Sequence, residues 1–199
     1  ETATGQLLTD LCEDLVRDHG CRVSVVTGPA LAPSPGSQVS FGRSTFRGVE
    51  VHRAPGTTFD KSRFAGRATN YMTYFASACW AGLRLDKPDV VVALTDPPII
   101  GLAAWMARKR FGTPLVMSYR DLFPEVTVLL NDFHSDAVDG VLQRVNQFLC
   151  RTSTKVVALG ETMSGTIDVP VDHWERNSTR DEVGPPDYAF CVLAQPVDD

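Results

Sequence analysis

The sequence predicts an α/β protein, a three-layer sandwich built on a parallel sheet. Three observations predict it. Strand-like and helix-like segments alternate along most of the chain. Residues 89–94 (DVVVAL) and 114–119 (PLVMSY) are almost uninterrupted apolar runs, the pattern of strands buried on both faces. The connections look too long for hairpins, which implies parallel strands joined by right-handed crossovers.

The elements follow in order. Leu7, Leu8, Leu11, Cys12, Leu15 and Val16 form one apolar stripe at helical spacing, with Thr4 as its cap and His19-Gly20 as its stop. Residues 22–27 (RVSVVT) are a β-branched strand. A Pro/Gly/Ser loop precedes a second strand near residues 48–54. Residues 61–85 read as a long helix, 89–94 as a buried strand, 99–111 as a helix ending at Gly112, and 114–119 as a second buried strand. Val138, Val141, Leu142, Val145, Phe148 and Leu149 stripe another helix, 155–159 is a strand, and 161–167 opens one more helix. After Val169 the character changes to a polar, acidic stretch, with strand pattern only at 188–194 (YAFCVLA). The expected organisation is one domain over 1–168, with 169–199 an interdomain linker and the start of a truncated second domain.

With 199 residues, 43% hydrophobic and 22% charged, the chain can bury a sizeable core and is not a disordered one. The best apolar run, 90–107, is cut by Thr95-Asp96-Pro97-Pro98, so no segment reaches the roughly 20 residues a spanning helix needs. The net charge is −5, and residues 169–199 carry all of it. An acidic chain with a single moderately basic region, 43–110, is a poor nucleic-acid binder; that region suits a phosphate-bearing substrate or an anionic membrane surface, or is a solvated mixed surface. Five cysteines with no C-x-x-C pair fit a reducing compartment.

Absent motifs narrow the chemistry. The sequence has no G-x-G dinucleotide fingerprint, no P-loop, no G-x-S-x-G elbow, no D-x-D pair and no zinc spacing among its four histidines. No metal site is therefore expected.

Ligands of open parallel sheets bind beyond the carboxyl ends of the strands, and three segments matter there. Thr2-Ala3-Thr4-Gly5 opens the first helix, where free N–H groups and the positive dipole end suit a phosphate, or simply a cap. Asp96, after the 89–94 strand, either accepts hydrogen bonds from a ligand hydroxyl or caps the next helix. Tyr119-Arg120-Asp121-Leu122-Phe123-Pro124-Glu125 gathers an arginine and two carboxylates after the second buried strand. Carboxylates there can bind sugar hydroxyls or take a proton, and the arginine can face a phosphate; an Arg–Asp ion pair closing the strand is the structural alternative.

In this order, T-A-T-G-Q-L-L-T-D-L, R-V-S-V-V-T-G, D-V-V-V-A-L-T-D-P-P and R-D-L-F-P-E, with G-V-E-V-H-R at 48–53 and K-V-V-A-L-G-E-T-M at 155–163, the sequence resembles the amino-terminal domain of family-4 glycosyltransferases. The nearest subgroup is WcaI/WbuB-like, from bacterial exopolysaccharide and lipopolysaccharide assembly. The resemblance implies half of a GT-B fold, two Rossmann-like domains facing across a cleft, the first mainly taking the acceptor and the second a nucleotide-sugar. It implies retention of anomeric configuration without a metal or other cofactor.

By the same resemblance, Thr4 and Gly5 face the donor phosphates, and Arg120 and Asp121 lie near the transferred sugar as the catalytic pair. Asp96, Tyr119 and Glu125 are the expected acceptor contacts. The expected partners are a UDP- or GDP-sugar and a glycan or polyprenyl-linked acceptor, with no nucleic acid. The expected location is the cytoplasm; the aromatic and basic residues of 61–85 either seat the protein peripherally on the inner membrane face or are aromatics packed against the sheet behind a basic first turn. Members begin with a strand ahead of T-A-T-G, which this sequence lacks, and the donor-binding half is not in it. A fragment is thus expected, with a noncatalytic remnant or binding module as the alternative.

Overall fold

A computed structural model describes residues 3–28, 42–60, 64–95, 99–119, 136–158 and 189–194. Four helices and seven strands fall among them. Helix α1 (Ala3–Arg17) precedes β1 (Arg22–Thr27), β2 (Gly42–Phe46) and β3 (Val49–Arg53). Then come α2 (Phe64–Gly82), β4 (Val90–Leu94), α3 (Ile100–Phe111), β5 (Leu115–Tyr119), α4 (Asp136–Thr152), β6 (Lys155–Ala158) and β7 (Ala189–Ala194). One sheet holds all seven strands in the order β2-β3-β1-β7-β4-β5-β6.

The three-layer expectation holds. Side chains alternate across a strand, so Val23 and Val25 of β1 face opposite to Val26, and Val92 and Leu94 of β4 opposite to Val91 and Ala93. The buried residues divide accordingly. Cys12, Val23, Val25, Val49 and Leu94 make the core under α1. Val26, Tyr74, Ala93, Ile100, Ala104, Leu115, Met117, Tyr119 and Leu149 make the larger core under α2, α3 and α4. Gly101 lets α3 approach closely: a Cβ there would lie 2.6 Å from Leu149 Cδ1 and 2.9 Å from Met117 Cε.

One expectation is corrected: not every connection is a crossover. β2 runs antiparallel to β3, with Phe46 opposite Val49 across the two-residue turn Arg47-Gly48. Both turn residues have positive φ, 49° and 85°, as the tight hairpin that matches strand twist demands. Residues 189–194, expected to belong to the start of a second domain, form β7. β7 lies in the centre of the sheet, parallel to β1 on one side and β4 on the other, with Val192 opposite both Val25 and Val92. A strand directly preceding α1 would be placed beside and parallel to β1 by the crossover rule. β7 holds that position, and its run AFCVLA has the pattern of a strand with neighbours on both sides.

Helix ends follow local chemistry. Gly20 (φ 63°) reverses the chain after α1, and the Cys21 N–H returns to the Leu15 carbonyl at 2.9 Å. Gly112 (φ 69°) caps α3 in the left-handed conformation, its N–H 2.8 Å from the Arg108 carbonyl. Because Ala3 is already helical, Thr4 lies inside the first turn of α1 and is not its cap. The helix expected at 161–167 lies outside the described residues.

Candidate functional site

Apart from β2, the strands are all parallel, so their carboxyl ends share one edge of the sheet. The helices bring their amino termini to the same edge. α1 spans about 22 Å at 1.5 Å per residue, against about 20 Å for β1. A helix that ends beside the start of its following strand therefore begins beside that strand's far end. α1, α2, α3 and α4 are placed in this way ahead of β1, β4, β5 and β6. Four helix amino termini, each worth roughly half a positive charge, thus surround the strand ends. Such an edge favours an anionic ligand before any side chain is counted.

The expected site residues fall along this edge. Thr4 and Gly5 lie in the first turn of α1; their side-chain surroundings are not among those described. Asp96, Arg120, Asp121 and Glu125 lie outside the described residues, but the strands that lead to them are neighbours. β4 and β5 pair with Leu94 opposite Ser118, so Thr95 and Tyr119 are adjacent strand ends about 4.8 Å apart. Asp96 and Arg120 each follow one of them. Thr95 is buried at the lip of β4.

Tyr119 is placed differently from a ligand-facing residue. It shares a face of β5 with Leu115 and Met117 and is 1% exposed in the larger core. Its phenol oxygen accepts the Cys150 thiol at 3.2 Å and donates to the Asn146 carbonyl at 3.4 Å. Burial, reinforced by Cys150, pushes its ionisation far above the usual phenol range. The residue therefore anchors the end of β5 against α4, immediately before Arg120.

A polar cluster at the same edge was not evident from the sequence. The chain leaving β3 is first fixed by Ala54, whose N–H donates to the Thr27 carbonyl at 2.8 Å. It is then tied to α2. The buried Asn70 accepts the Phe59 N–H and the Thr57 hydroxyl at its Oδ1, both at 2.9 Å, and donates from Nδ2 to the Phe59 carbonyl at 3.0 Å. The Thr57 N–H donates to Thr73 Oγ1 at 3.1 Å, and Ser77 Oγ to the Pro55 carbonyl. Gly66 allows this closeness, since a Cβ there would collide with the Asp60 carbonyl oxygen. The sequence signal was a polar stripe at helical spacing along α2, Asn70, Thr73 and Ser77.

The large apolar residues of α2 divide. Tyr74 is buried and Phe75 packs on the core, whereas Tyr71, Met72 and Trp80 are exposed. The Arg84 guanidinium sits 3.9 Å over the Trp80 ring. Among the described residues no cluster of histidine, cysteine, aspartate or glutamate could hold a metal ion, and no helix is long and apolar enough to cross a membrane.

Residues 2–167 match the family described as the glycosyl transferase 4-like domain. The chain belongs to this glycosyltransferase family. The matched stretch begins at the T-A-T-G run and ends before β7. No curated protein matches the chain significantly. Membership agrees with the Rossmann-like half-domain described above and implies glycosyl transfer in general, with a sugar donor and an acceptor as partners.

Proposed function

We propose that this glycosyltransferase domain supports transfer of a sugar from a UDP- or GDP-sugar to a glycan or polyprenyl-linked acceptor in cell-surface polysaccharide synthesis, of the WcaI/WbuB-like kind. The observation that carries the proposal is the convergence of four helix amino termini and the parallel strand ends on one edge, with Ala3-Thr4-Gly5 opening α1 at that edge. An acceptor hydroxyl and a departing nucleotide phosphate both need what such an edge offers: preorganised N–H donors and positive potential. In this reading backbone N–H groups at Thr4 and Gly5 face the donor phosphates, and Arg120 offsets the charge that develops on the leaving phosphate. Asp121 orients the acceptor hydroxyl or takes its proton, and Asp96 and Glu125 hold other acceptor hydroxyls. Tyr119 contributes by fixing the strand end from which Arg120 departs. Exposed Trp80 beside Arg84 supports a peripheral contact with the inner membrane face. The reaction would use no metal.

One observation favours a second reading, a binding module that keeps the fold without the chemistry: β7, which follows the family-matched stretch, pairs within the same sheet as the other strands. A radiolabelled transfer assay with UDP- and GDP-sugars and a polyprenyl-phosphate acceptor separates the two. Turnover that falls at least a hundredfold in Asp121→Asn supports the transferase. Acceptor binding without turnover from any donor supports the module.

A further inference from the structure

At the opposite edge of the sheet, where β5 begins, lies a cleft of about 400 Å³ lined by Arg108, Lys109, Gly112, Thr113, Pro114 and Thr154. Two of its side chains hold buried polar atoms that find no hydrogen-bond partner among the described residues, Arg108 Nη1 and Thr113 Oγ1. Thr113 is 5% exposed. Buried polar groups are nearly always satisfied, so two orphaned ones lining one cleft call for an explanation.

The remaining lining has the same character. Thr154 Oγ1 accepts the Leu115 N–H at 3.1 Å, which leaves its own proton to donate. Lys109 adds a second cation; its Nζ lies 5.7 Å from the Trp105 ring centre, a loose contact it can leave. Among the described residues no carboxylate lines the cleft. The inventory is therefore two cations and two hydroxyl donors. The carboxyl ends of α3 and α4 both lie at this edge and oppose an anion with roughly half a negative charge each. The guanidinium and ammonium together outweigh them about twofold, and the Gly112 N–H already satisfies the Arg108 carbonyl.

We propose that this cleft is an anion site for a phosphate group, separate from the sugar-transfer edge. Arg108 supplies the fork that matches tetrahedral phosphate oxygens, and Thr113 and Thr154 supply hydroxyl donors to the same group. The phosphate can come from a soluble monoester or inorganic phosphate, or from a lipid headgroup.

The test is an amide NMR titration of the labelled chain with inorganic phosphate, using chloride at matched ionic strength as the control. The expected result is saturable shifts at Gly112, Thr113, Leu115 and Thr154, with affinity at least tenfold weaker in Arg108→Met. Thr113→Val keeps the shape and removes only the orphaned hydroxyl. It is expected to weaken phosphate binding severalfold while leaving the melting temperature equal or higher, so loss of binding cannot be ascribed to loss of fold. A parallel arm measures co-sedimentation with phosphatidylcholine vesicles containing phosphatidic acid. Binding of inorganic phosphate that depends on Arg108 assigns a soluble ligand, and vesicle binding alone that depends on Arg108 assigns a headgroup. Shifts that do not saturate together with vesicle binding unchanged by Arg108→Met overturn the site.

Discussion

The Cys150 thiol donates to the phenol oxygen of Tyr119 across 3.2 Å, joining the last residue of β5 to the last turns of α4 inside the core. The same phenol donates to the Asn146 carbonyl. Tyr119→Phe keeps the ring and removes both contacts. It should cost about 1 kcal/mol in urea unfolding, the usual net worth of such bonds. Tyr119→Ala should cost about 3–5 kcal/mol, because it empties a fully buried site. If Tyr119 faced an acceptor instead, Tyr119→Phe would change acceptor affinity and leave stability alone.

Val192 pairs with Val25 on one side and Val92 on the other, so β7 joins two halves of the sheet that otherwise do not pair. Proline in a strand flanked on both sides removes a ladder donor and clashes with its neighbours. Val192→Pro should therefore destabilise the chain by about 3 kcal/mol or more, and thermal unfolding should broaden. An unchanged melting curve would place 189–194 outside the sheet.

Much of this architecture could be read from the sequence, because long apolar runs and helical stripes report local burial. β4, β5, α1 and α3 fall within a residue or two of their expected bounds. What escaped was non-local or lacked an apolar pattern. All five residues of β2 are exposed, so GRSTF carries no apolar alternation, and Arg47-Gly48 lacks the Asn-Gly or Asp-Gly signature that marks a hairpin in a sequence. The place of β7 depends on which strands accept it, and no periodicity encodes that choice. Tyr119 was legible in principle: Leu115, Met117 and Tyr119 alternate onto one face, and the first two are plainly core residues. Its neighbours Arg120 and Asp121 drew it into the site reading.

Cys12 lies under α1, and burial, with a smaller contribution from Glu13, raises its thiol from 9.0 to about 11. The folded chain then holds a proton that the unfolded chain releases first as pH rises. The stability this contributes is complete below pH 9 and is lost as pH climbs toward 11. The thiolate is the reactive form. At pH 8, Ellman's reagent should label Cys12 only after denaturant is added, whereas Cys12→Ser should lose that late-reacting equivalent.

Asn70 holds the segment after β3 against α2 through three hydrogen bonds, two of them to the backbone of Phe59. Asn70→Ala should cost about 2 kcal/mol, since it strips partners from an N–H and a carbonyl together. Hydrogen exchange offers a sharper reading. The Phe59 amide should exchange faster in the variant, while the Thr57 amide, bonded to Thr73, keeps most of its protection. Because this segment borders the proposed transfer edge, the Michaelis constant for acceptor should rise more than turnover falls. Equal acceleration at both amides would mean that Asn70 supports the helix and not the segment.

His52 on β3 is mostly buried, its side chain 11% exposed, with Nε2 at 3.1 Å from Glu50 Oε1 in a geometry too poorly aligned for a hydrogen bond. Arg43 faces the same carboxylate at 3.4 Å. Burial lowers the His52 pKa first; Glu50 opposes that and Arg43 adds to it, leaving the value below the ordinary 6.5. In the unfolded chain the imidazole therefore takes up its proton at higher pH than in the folded one. Stability is complete above about pH 6.5 and falls as the solution is acidified toward the lower folded value. Urea midpoints measured from pH 8 to pH 5 should decline through this window, and His52→Gln should flatten that part of the profile. Glu50→Gln removes the opposing charge, so the folded pKa should drop further, visible as a lower midpoint in the imidazole proton shifts.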